Sequence, residues 1–371
     1  MISFLTALFL TFVLLVPMQY AGKRKKTIKL TTLNGVRYYE KHDKWYYLWY
    51  LFAVAPILFV TAFRDRSVGS DNRGIYYSTF IRTIRGTEDK HFEIGFRLLV
   101  KAISSVTDNY QWFDIVTSLF ILGVLFYVIE RDSNNIAYSY LLFIISGMYI
   151  YSLSGIRQYV AIVIMMAGCK HIYEKNLWKY VICVVTASLF HTGILVTLVL
   201  YFLVNYKKRI FTPKVMLLAL CGLFVFRQIA FILIEKILSG TKYYYYIMSM
   251  SGTVFQKFVF IIQIGIFIIM LFCYKTASAD KKYMLAYWSQ ALTIAMVMFT
   301  GIIPEISRVA WYFMAYQIIG IPVTMSYIKK KYHRIIFNMG IIGVYIVYFV
   351  YDFIYMKYYD VIPYNFCFLS K

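Results

Sequence analysis

The chain has 371 residues, 61% of them apolar and 20% aromatic, and its 39 lysines and arginines against 17 acids give a formal charge of +22. One water-soluble core cannot hide that much apolar surface, which excludes a soluble enzyme or binding module and points to a polytopic membrane protein. The apolar runs reach or approach the roughly 20 residues that a helix needs to cross a bilayer. They are too long and even for barrel strands of about 10 alternating residues, so the fold class is all-α, a transmembrane helical bundle.

The first run, MISFLTALFLTFVLLVPMQY, has no basic stretch before it and no small-residue cleavage site, so it is expected to stay as a first span. Clusters of lysine and arginine mark the cytoplasmic ends of spans. On that rule the cytoplasmic loops are 21–44, 130–135, 170–179, 205–214, 275–282 and 328–334, which hold 23 of the 39 basic residues. One stretch strains the alternation: YVICVVTASLFHTGILVTLVLY has lysines beyond both ends, and a single span there would invert everything downstream. Two short helices that break near 188–193 and turn back resolve this, with His191 at the tip. Irregular backbone at membrane depth is tolerated where it lines a cavity. The expectation is about twelve passes including this broken pair, one integral membrane domain over 1–371, and both termini outside the cytoplasm.

The longest non-cytoplasmic connection is 64–110. It opens with RDRSVGSDNRGIYY and ends with HFEIGFRLLVKAISSV, an amphipathic stretch too charged to span and expected to lie at the surface as a helix. The two sides differ in their type of positive charge. Of the 23 cytoplasmic cations 18 are lysine, whereas nine of the other 16 are arginine: Arg64, Arg66, Arg73, Arg82, Arg85, Arg97, Arg157, Arg227 and Arg308. Lysine suffices to hold a loop inside by charge, while the planar guanidinium suits paired hydrogen bonds to phosphate or carboxylate. Arg64, Arg82, Arg85 and Arg97 fit snorkelling to headgroups equally well. Arg157 in SLSGIRQYVA and Arg308 in IIPEISRVAWYF each begin a span after a very short outer connection. That aims both at whatever the outer helix ends enclose.

Other candidates carry two readings each. Gly69 and Gly74 bracket Asp71 and Arg73, permitting a turn that presents acid and base together, while Asp71 also suits the cap of a helix starting at Asn72. Glu93 offers a second carboxylate, to orient a sugar hydroxyl or act as base. His191, the one histidine inside an apolar stretch, either satisfies a carbonyl at the break or accepts a proton from an attacking hydroxyl. Arg227 interrupts LLALCGLFVFRQIAFILIEKI midway, where a charge needs a partner or water. The run GTKYYYYIMSMSGT suits an interfacial belt or a platform for sugar rings. The five cysteines include no CxxC pair, and no P-loop, GxGxxG after a strand or HExxH occurs. No metal, cofactor or nucleic-acid partner is therefore expected.

Five motifs occur in order: VGSD followed by Tyr77, EIGF (Glu93 to Phe96), RQYVA (Arg157 to Ala161), ASLFHTG (Ala187 to Gly193) and ISRVAWYF with Arg308 and Tyr312. Together they resemble the EpsG family of Wzy-like polymerases of bacterial exopolysaccharide and capsule, over about residues 45 to 325; Ile94 stands where that family usually has proline. The resemblance implies a glycosyltransferase of the bacterial cytoplasmic membrane. It would join oligosaccharide repeat units carried on undecaprenyl pyrophosphate into exopolysaccharide, capsule or O-antigen on the outer side of the bilayer. It would need neither metal nor nucleotide sugar, and a chain-length regulator of the same pathway is a further expected partner. A leaving pyrophosphate would be met by fixed cations, here Arg157 and Arg308, with His191 or Glu93 activating the acceptor hydroxyl and inversion by one in-line displacement. Asp71, Arg73, Tyr77, Arg66, Arg227 and Tyr312 are expected to line the substrate. An O-antigen-ligase-like transferase, a lipid-linked oligosaccharide flippase and a membrane acyltransferase are the competing classes. A flippase should show two related halves, and no such repeat is visible; nothing in the chain suggests an acyl-donor site.

Overall fold

A computed structural model of the chain describes residues 2–18, 26–32, 35–87, 90–206, 212–238, 254–300, 302, 303 and 305–369. In chain order its helices are α1 (Ile2–Leu15), α2 (Lys44–Ala62), α3 (Tyr77–Ile84), α4 (Ile94–Ser104), α5 (Gln111–Asp132), α6 (Ile136–Ile145), α7 (Met148–Ser154) and α8 (Ile156–Gly168). They continue as α9 (Leu177–Ser188), α10 (Val199–Asn205), α11 (Pro213–Leu238), α12 (Val254–Ala277), α13 (Lys281–Met298), α14 (Ile306–Met314), α15 (Gln317–Ser326) and α16 (Lys331–Phe349). A π-helical turn, Asn72–Tyr76, leads into α3, and a 3-10 segment, Thr192–Leu198, leads into α10.

Among the described residues the regular structure is helical except for one antiparallel hairpin in the first basic loop, β1 (Lys26–Thr32) with β2 (Gly35–Lys41). The all-helical expectation did not include it, although KTIKLTT and GVRYYEK are rich in β-branched and aromatic residues. An Asn-Gly pair, the strongest short hairpin signal, stands in the sequence at their junction. The expected amphipathic helix of 91–106 is shorter, α4 alone, and the segment 64–110 holds a second short helix, α3.

Five helices, α2, α5, α11, α12 and α16, are long and apolar enough to cross a membrane, or up to seven spans if the bent pairs α6–α7 (61°) and α14–α15 (43°) each count as one. The chain is thus a multi-pass helical membrane protein. Helix α11 carries exposed apolar side chains around much of its circumference, among them Leu218, Val225 and Ile232. A helix in that condition faces lipid.

The break expected near 188–193 is present. Helix α9 ends at Ser188, His191 is extended, and the 3-10 segment starts at Thr192. The chain then turns back: the Tyr180 hydroxyl at the start of α9 donates to the Thr197 carbonyl at 2.9 Å, and the Tyr180 and Tyr201 rings stack. Both feet of this hairpin are clamped together, since Lys281 donates to the Tyr173 carbonyl at 2.9 Å and to Asn205 Oδ1 at 3.0 Å. Nearby, Lys282 reaches Asp132 at 3.4 Å, which Arg131 also pairs. This is the lysine-rich end of the bundle.

Midway along the helices, buried side-chain amides cross-link α12, α13, α15 and α16. Gln317 donates to Gln263 and Gln290, Gln290 donates to Gln263, and the Tyr345 hydroxyl donates to Gln317 at 2.7 Å. Interhelical hydrogen bonds of this kind supply association where lipid removes the hydrophobic driving force. At the opposite end, both ends of the described chain meet: Phe4 stacks on Tyr364 at 4.3 Å, and the Tyr364 hydroxyl donates to the Val60 carbonyl. The last turn of α2 leads from there into Arg64, so this is the arginine-rich end.

Candidate functional site

Four interruptions of the helical rods converge at the arginine-rich end. Helix starts leave backbone N–H groups without intrahelical partners, so each interruption attracts polar side chains. The first is the turn before Asn72. Gly69 adopts φ +95°, and a Cβ there would stand 2.7 Å from the Leu153 carbonyl oxygen, so VGSD needs its glycine both for conformation and for close approach to α7. Ser70 and the Asp71 N–H both contact Ser154 Oγ, at 3.0 and 3.3 Å.

Asp71 does not cap the helix that follows. Its backbone is already helical and its side chain makes no capping hydrogen bond. The capping alternative is set aside; the carboxylate faces Arg308 Nη2 at 3.9 Å instead. Burial pushes the Asp71 carboxyl above its ordinary range, opposed by the Arg308 and Arg157 charges.

The second interruption is the start of α4. Gly95 N–H donates to the Leu189 carbonyl at 2.8 Å, and a Cβ on Gly95 would lie 2.8 Å from the same oxygen, so EIGF packs directly on ASLFHTG. Ile94 occupies the first helical position, where proline's fixed φ is favourable but not required. Glu93, just before it, leaves its own helix uncapped and reaches across the site. One oxygen takes Arg157 Nη1 at 2.5 Å; the other accepts the Thr192 N–H at 3.2 Å and lies 3.7 Å from His191 Nδ1.

Arg157 comes from the third interruption, Gly155, where α7 gives way to α8. Its guanidinium lies over the rings of Phe92 (4.4 Å) and Phe96 (5.6 Å), a cation–π cage that fixes its direction. Arg308 comes from the fourth, at Glu305, which has φ 60° just before α14. Glu305 takes Arg308 Nε at 2.9 Å. Gln158, next to Arg157, donates to the Arg308 carbonyl and so locks α8 beside α14.

One turn beyond Arg308, the Tyr312 hydroxyl stands 3.5 Å from both ring nitrogens of His191, with the rings at 85°. At that distance it positions the imidazole by contact more than by a directed hydrogen bond. Burial lowers the His191 pKa from its ordinary 6.5; Glu93 pulls it up, and Arg157 and Arg308 push it down. The lowered pKa favours the neutral imidazole, the form that can accept a proton.

Glu93, Arg157, His191, Arg308, Asp71 and Tyr312 thus form one constellation, drawn from sequence positions more than two hundred residues apart. The side chains of the remaining sequence candidates face other partners. Arg66 covers the Tyr77 ring at 4.7 Å beside a separate cleft of about 460 Å³ that also includes Asp65, Asp108 and Phe368. Arg73 pairs with Asp360 at 3.2 Å. Arg227 donates to the Met298 carbonyl at 2.6 Å, which supplies the partner that its mid-helix position demanded. The tyrosine run in GTKYYYYIMSMSGT lies outside the described residues.

Three contributors were not legible in the sequence motifs. Glu305 pairs with the Arg308 side chain and Gln158 holds the Arg308 backbone, and their positions three before Arg308 and one after Arg157 were the available signal. The third is the C-terminal strap, 356–369. Its far end is tied to the start of the 64–110 segment, by Asp65 N–H to the Asn365 carbonyl at 2.9 Å and Cys367 N–H to the Phe63 carbonyl at 3.0 Å. Its near end holds Lys357, Tyr359 and Asp360 at φ 54°, 71° and 51°. Left-handed backbone at a residue with a Cβ costs roughly 1–3 kcal/mol each, so three of them within four residues mark a shape imposed by surroundings.

The sequence model of the EpsG family matches residues 47–366 of this chain. No curated protein and no solved structure matches it.

Proposed function

The chain belongs to the EpsG family, a Wzy-like polysaccharide polymerase family, and from that premise we propose that it polymerises oligosaccharide repeat units carried on undecaprenyl pyrophosphate, by inverting glycosyl transfer on the outer side of a bacterial cytoplasmic membrane. The observation that carries this reading is the joining of two arginines, a carboxylate and a partly exposed imidazole in one accessible cluster at the end of the bundle opposite the lysines.

In the proposed reaction the growing chain is the donor. The hydroxyl oxygen of an incoming lipid-linked unit attacks the anomeric carbon of the donor, and the bond from that carbon to the pyrophosphate oxygen breaks. The electron pair leaves with the lipid pyrophosphate, and the hydroxyl proton passes to His191 Nε2 or Nδ1 and then to water. Glu93 holds His191 and Arg157 in place and is already engaged by two donors, which makes it the orienting group and His191 the base. Arg157 and Arg308 hold the pyrophosphate and stabilise its charge as it leaves. Glu93 faces Arg157, and Asp71 and Glu305 face Arg308, so binding an anion exchanges partners rather than exposing bare cations. Asp71, the carboxyl that burial already pushes up, is the one best suited to take a proton when the pyrophosphate arrives.

The orientation follows from the lysine-rich loops, with the arginine-rich end and both termini outside and twelve passes in all. That count requires the shorter rods α1, α8, α9, the 3-10 segment continued by α10, and α13 to traverse along with the long helices and bent pairs. The deciding experiment supplies purified protein with a lipid-linked repeat unit and resolves the products by size. A ladder supports polymerisation. One unit added to a different acceptor identifies a ligase, and translocation without a new bond identifies a flippase.

A further inference from the structure

The strap brings one residue to the site that neither its motifs nor the proposed mechanism uses. Because the backbone turns left-handed at Tyr359 and Asp360, these neighbours face opposite ways. Asp360 looks outward to Arg73 and its carbonyl accepts the Gly69 N–H at 3.2 Å, while the Tyr359 ring turns into the bundle, edge-on to Tyr151 (5.1 Å) and Trp311 (5.9 Å). There it lies within electrostatic reach of Arg308 and Asp71. Its hydroxyl takes no hydrogen bond among the described residues.

Tyr359 also lines a cavity of about 120 Å³ on the face of α14 turned away from Tyr312, together with Thr300, Ser307, Trp311, Met314 and Val259. Ser307 precedes Arg308 on α14, so the cavity occupies the helix face next to the one that carries the arginine. Its walls are of two kinds, apolar surface from Val259, Met314 and Trp311 and hydroxyls from Thr300, Ser307 and Tyr359. A sugar ring has the same two characters, an apolar C–H face and an edge of hydroxyls. At about 120 Å³ the space is smaller than the roughly 150 Å³ cavity that accepts benzene, so it admits one edge of a sugar ring and leaves the rest outside.

We infer that this cavity receives one edge of the sugar directly attached to the pyrophosphate, and that Tyr359 is a specificity-determining residue whose hydroxyl bonds that sugar while Arg308 holds the phosphate. The inference rests on the polymerase reading above. Strain in the strap is what keeps the phenol turned inward against the tendency of a surface tyrosine to face solvent.

The test compares two ligands on the full-length protein: a sugar-free isoprenyl pyrophosphate and the same lipid pyrophosphate carrying the host strain's repeat unit. Tyr359→Phe keeps both ring contacts. It is expected to bind the sugar-free lipid as the unaltered protein does and to lose about tenfold in affinity for the sugar-bearing one, the loss of one good hydrogen bond. Ser307→Ala, which leaves the strap untouched, is expected to show the same selective loss, whereas Arg308→Lys weakens both ligands. If both Tyr359→Phe and Ser307→Ala bound the two lipids in the unaltered ratio, the subsite would be overturned. If the unaltered protein bound neither lipid, the polymerase reading would fall instead.

Discussion

Arg64 and Arg308 each face an aspartate at the same end of the bundle, yet Arg64 is 2% exposed against an Asp114 at 0%, while Arg308 is 42% exposed. Both terminal nitrogens of Arg64 are engaged: Nη2 donates to Asp114, and Nη1 to Ser118 Oγ at 3.0 Å and to the Thr61 carbonyl at 3.1 Å. Asn72 and Tyr110 continue the network, with Asn72 Nδ2 reaching Asp114 at 3.4 Å and the Tyr110 hydroxyl donating to Asn72 at 2.5 Å. Snorkelling to headgroups does not describe this residue; it is a buried tie between α2 and α5. Arg308 has one close partner, Glu305, and a distant one, Asp71 at 3.9 Å. A sealed guanidinium paired to a buried carboxylate holds a fold, and an accessible one with a single close partner is free to hold a ligand.

The largest effects should separate these two roles. Arg64→Met leaves the Asp114 carboxylate buried without its cation, a change that costs roughly 3–5 kcal/mol in buried pairs. Folded protein in detergent is expected to fall sharply, and polymer with it. Arg308→Lys keeps the charge but loses the fork of donors. Polymer synthesis should fall about 100-fold or more while the protein stays in the membrane at its usual level and melts normally. Melting curves and polymer assays on both variants decide the matter. A stable Arg64→Met that makes no polymer would move Arg64 into the site and erase the contrast.

The contrast also says what was legible in the sequence. Charges inside apolar runs are costly and therefore conspicuous, which is why Arg157, His191 and Arg308 stood out and why the break around His191 was visible from the lysines on both sides of it. Pairing is not recorded in the same way. Nothing near Arg64 in the chain names Asp114, fifty residues later and at the head of a long apolar helix, so a sealed arginine and an accessible one looked alike. The strap was hidden for a different reason. KYYDVIPYNFC reads as an ordinary tyrosine-rich membrane edge, and only the left-handed turns at Lys357, Tyr359 and Asp360 bring it back over Gly69.

A smaller effect, in pH rather than in magnitude, sharpens the assignment within the site. A base must be neutral to work, and burial holds the His191 pKa below 6.5, so the acid limb of the rate profile is expected below that value. Glu93 raises the His191 pKa and Arg157 lowers it. In the residual activity of Glu93→Gln the limb should therefore move further to the acid side, and in Arg157→Gln it should move toward neutrality. Profiles of kcat/KM across pH measure both shifts. Limbs that stay put in both variants would remove His191 as the titrating base.

The smallest effect is expected at Arg73, which the sequence grouped with the substrate residues and which instead pairs with Asp360 in the open, the two side chains 63% and 49% exposed. Ion pairs in that condition contribute about 0–1 kcal/mol, because water screens the charges and both side chains lose freedom in meeting. The strap does not depend on the pair, since the Asp360 carbonyl keeps the Gly69 N–H and the strap's far end keeps its bonds to Phe63 and Asp65. Arg73→Gln should accordingly melt within about 1 kcal/mol of the unaltered protein and retain polymer yield within about threefold. A loss of tenfold or more at unchanged melting would show that Arg73 leaves Asp360 to grip the substrate, and accessible pairing would then mark a working arginine here as it does at Arg308.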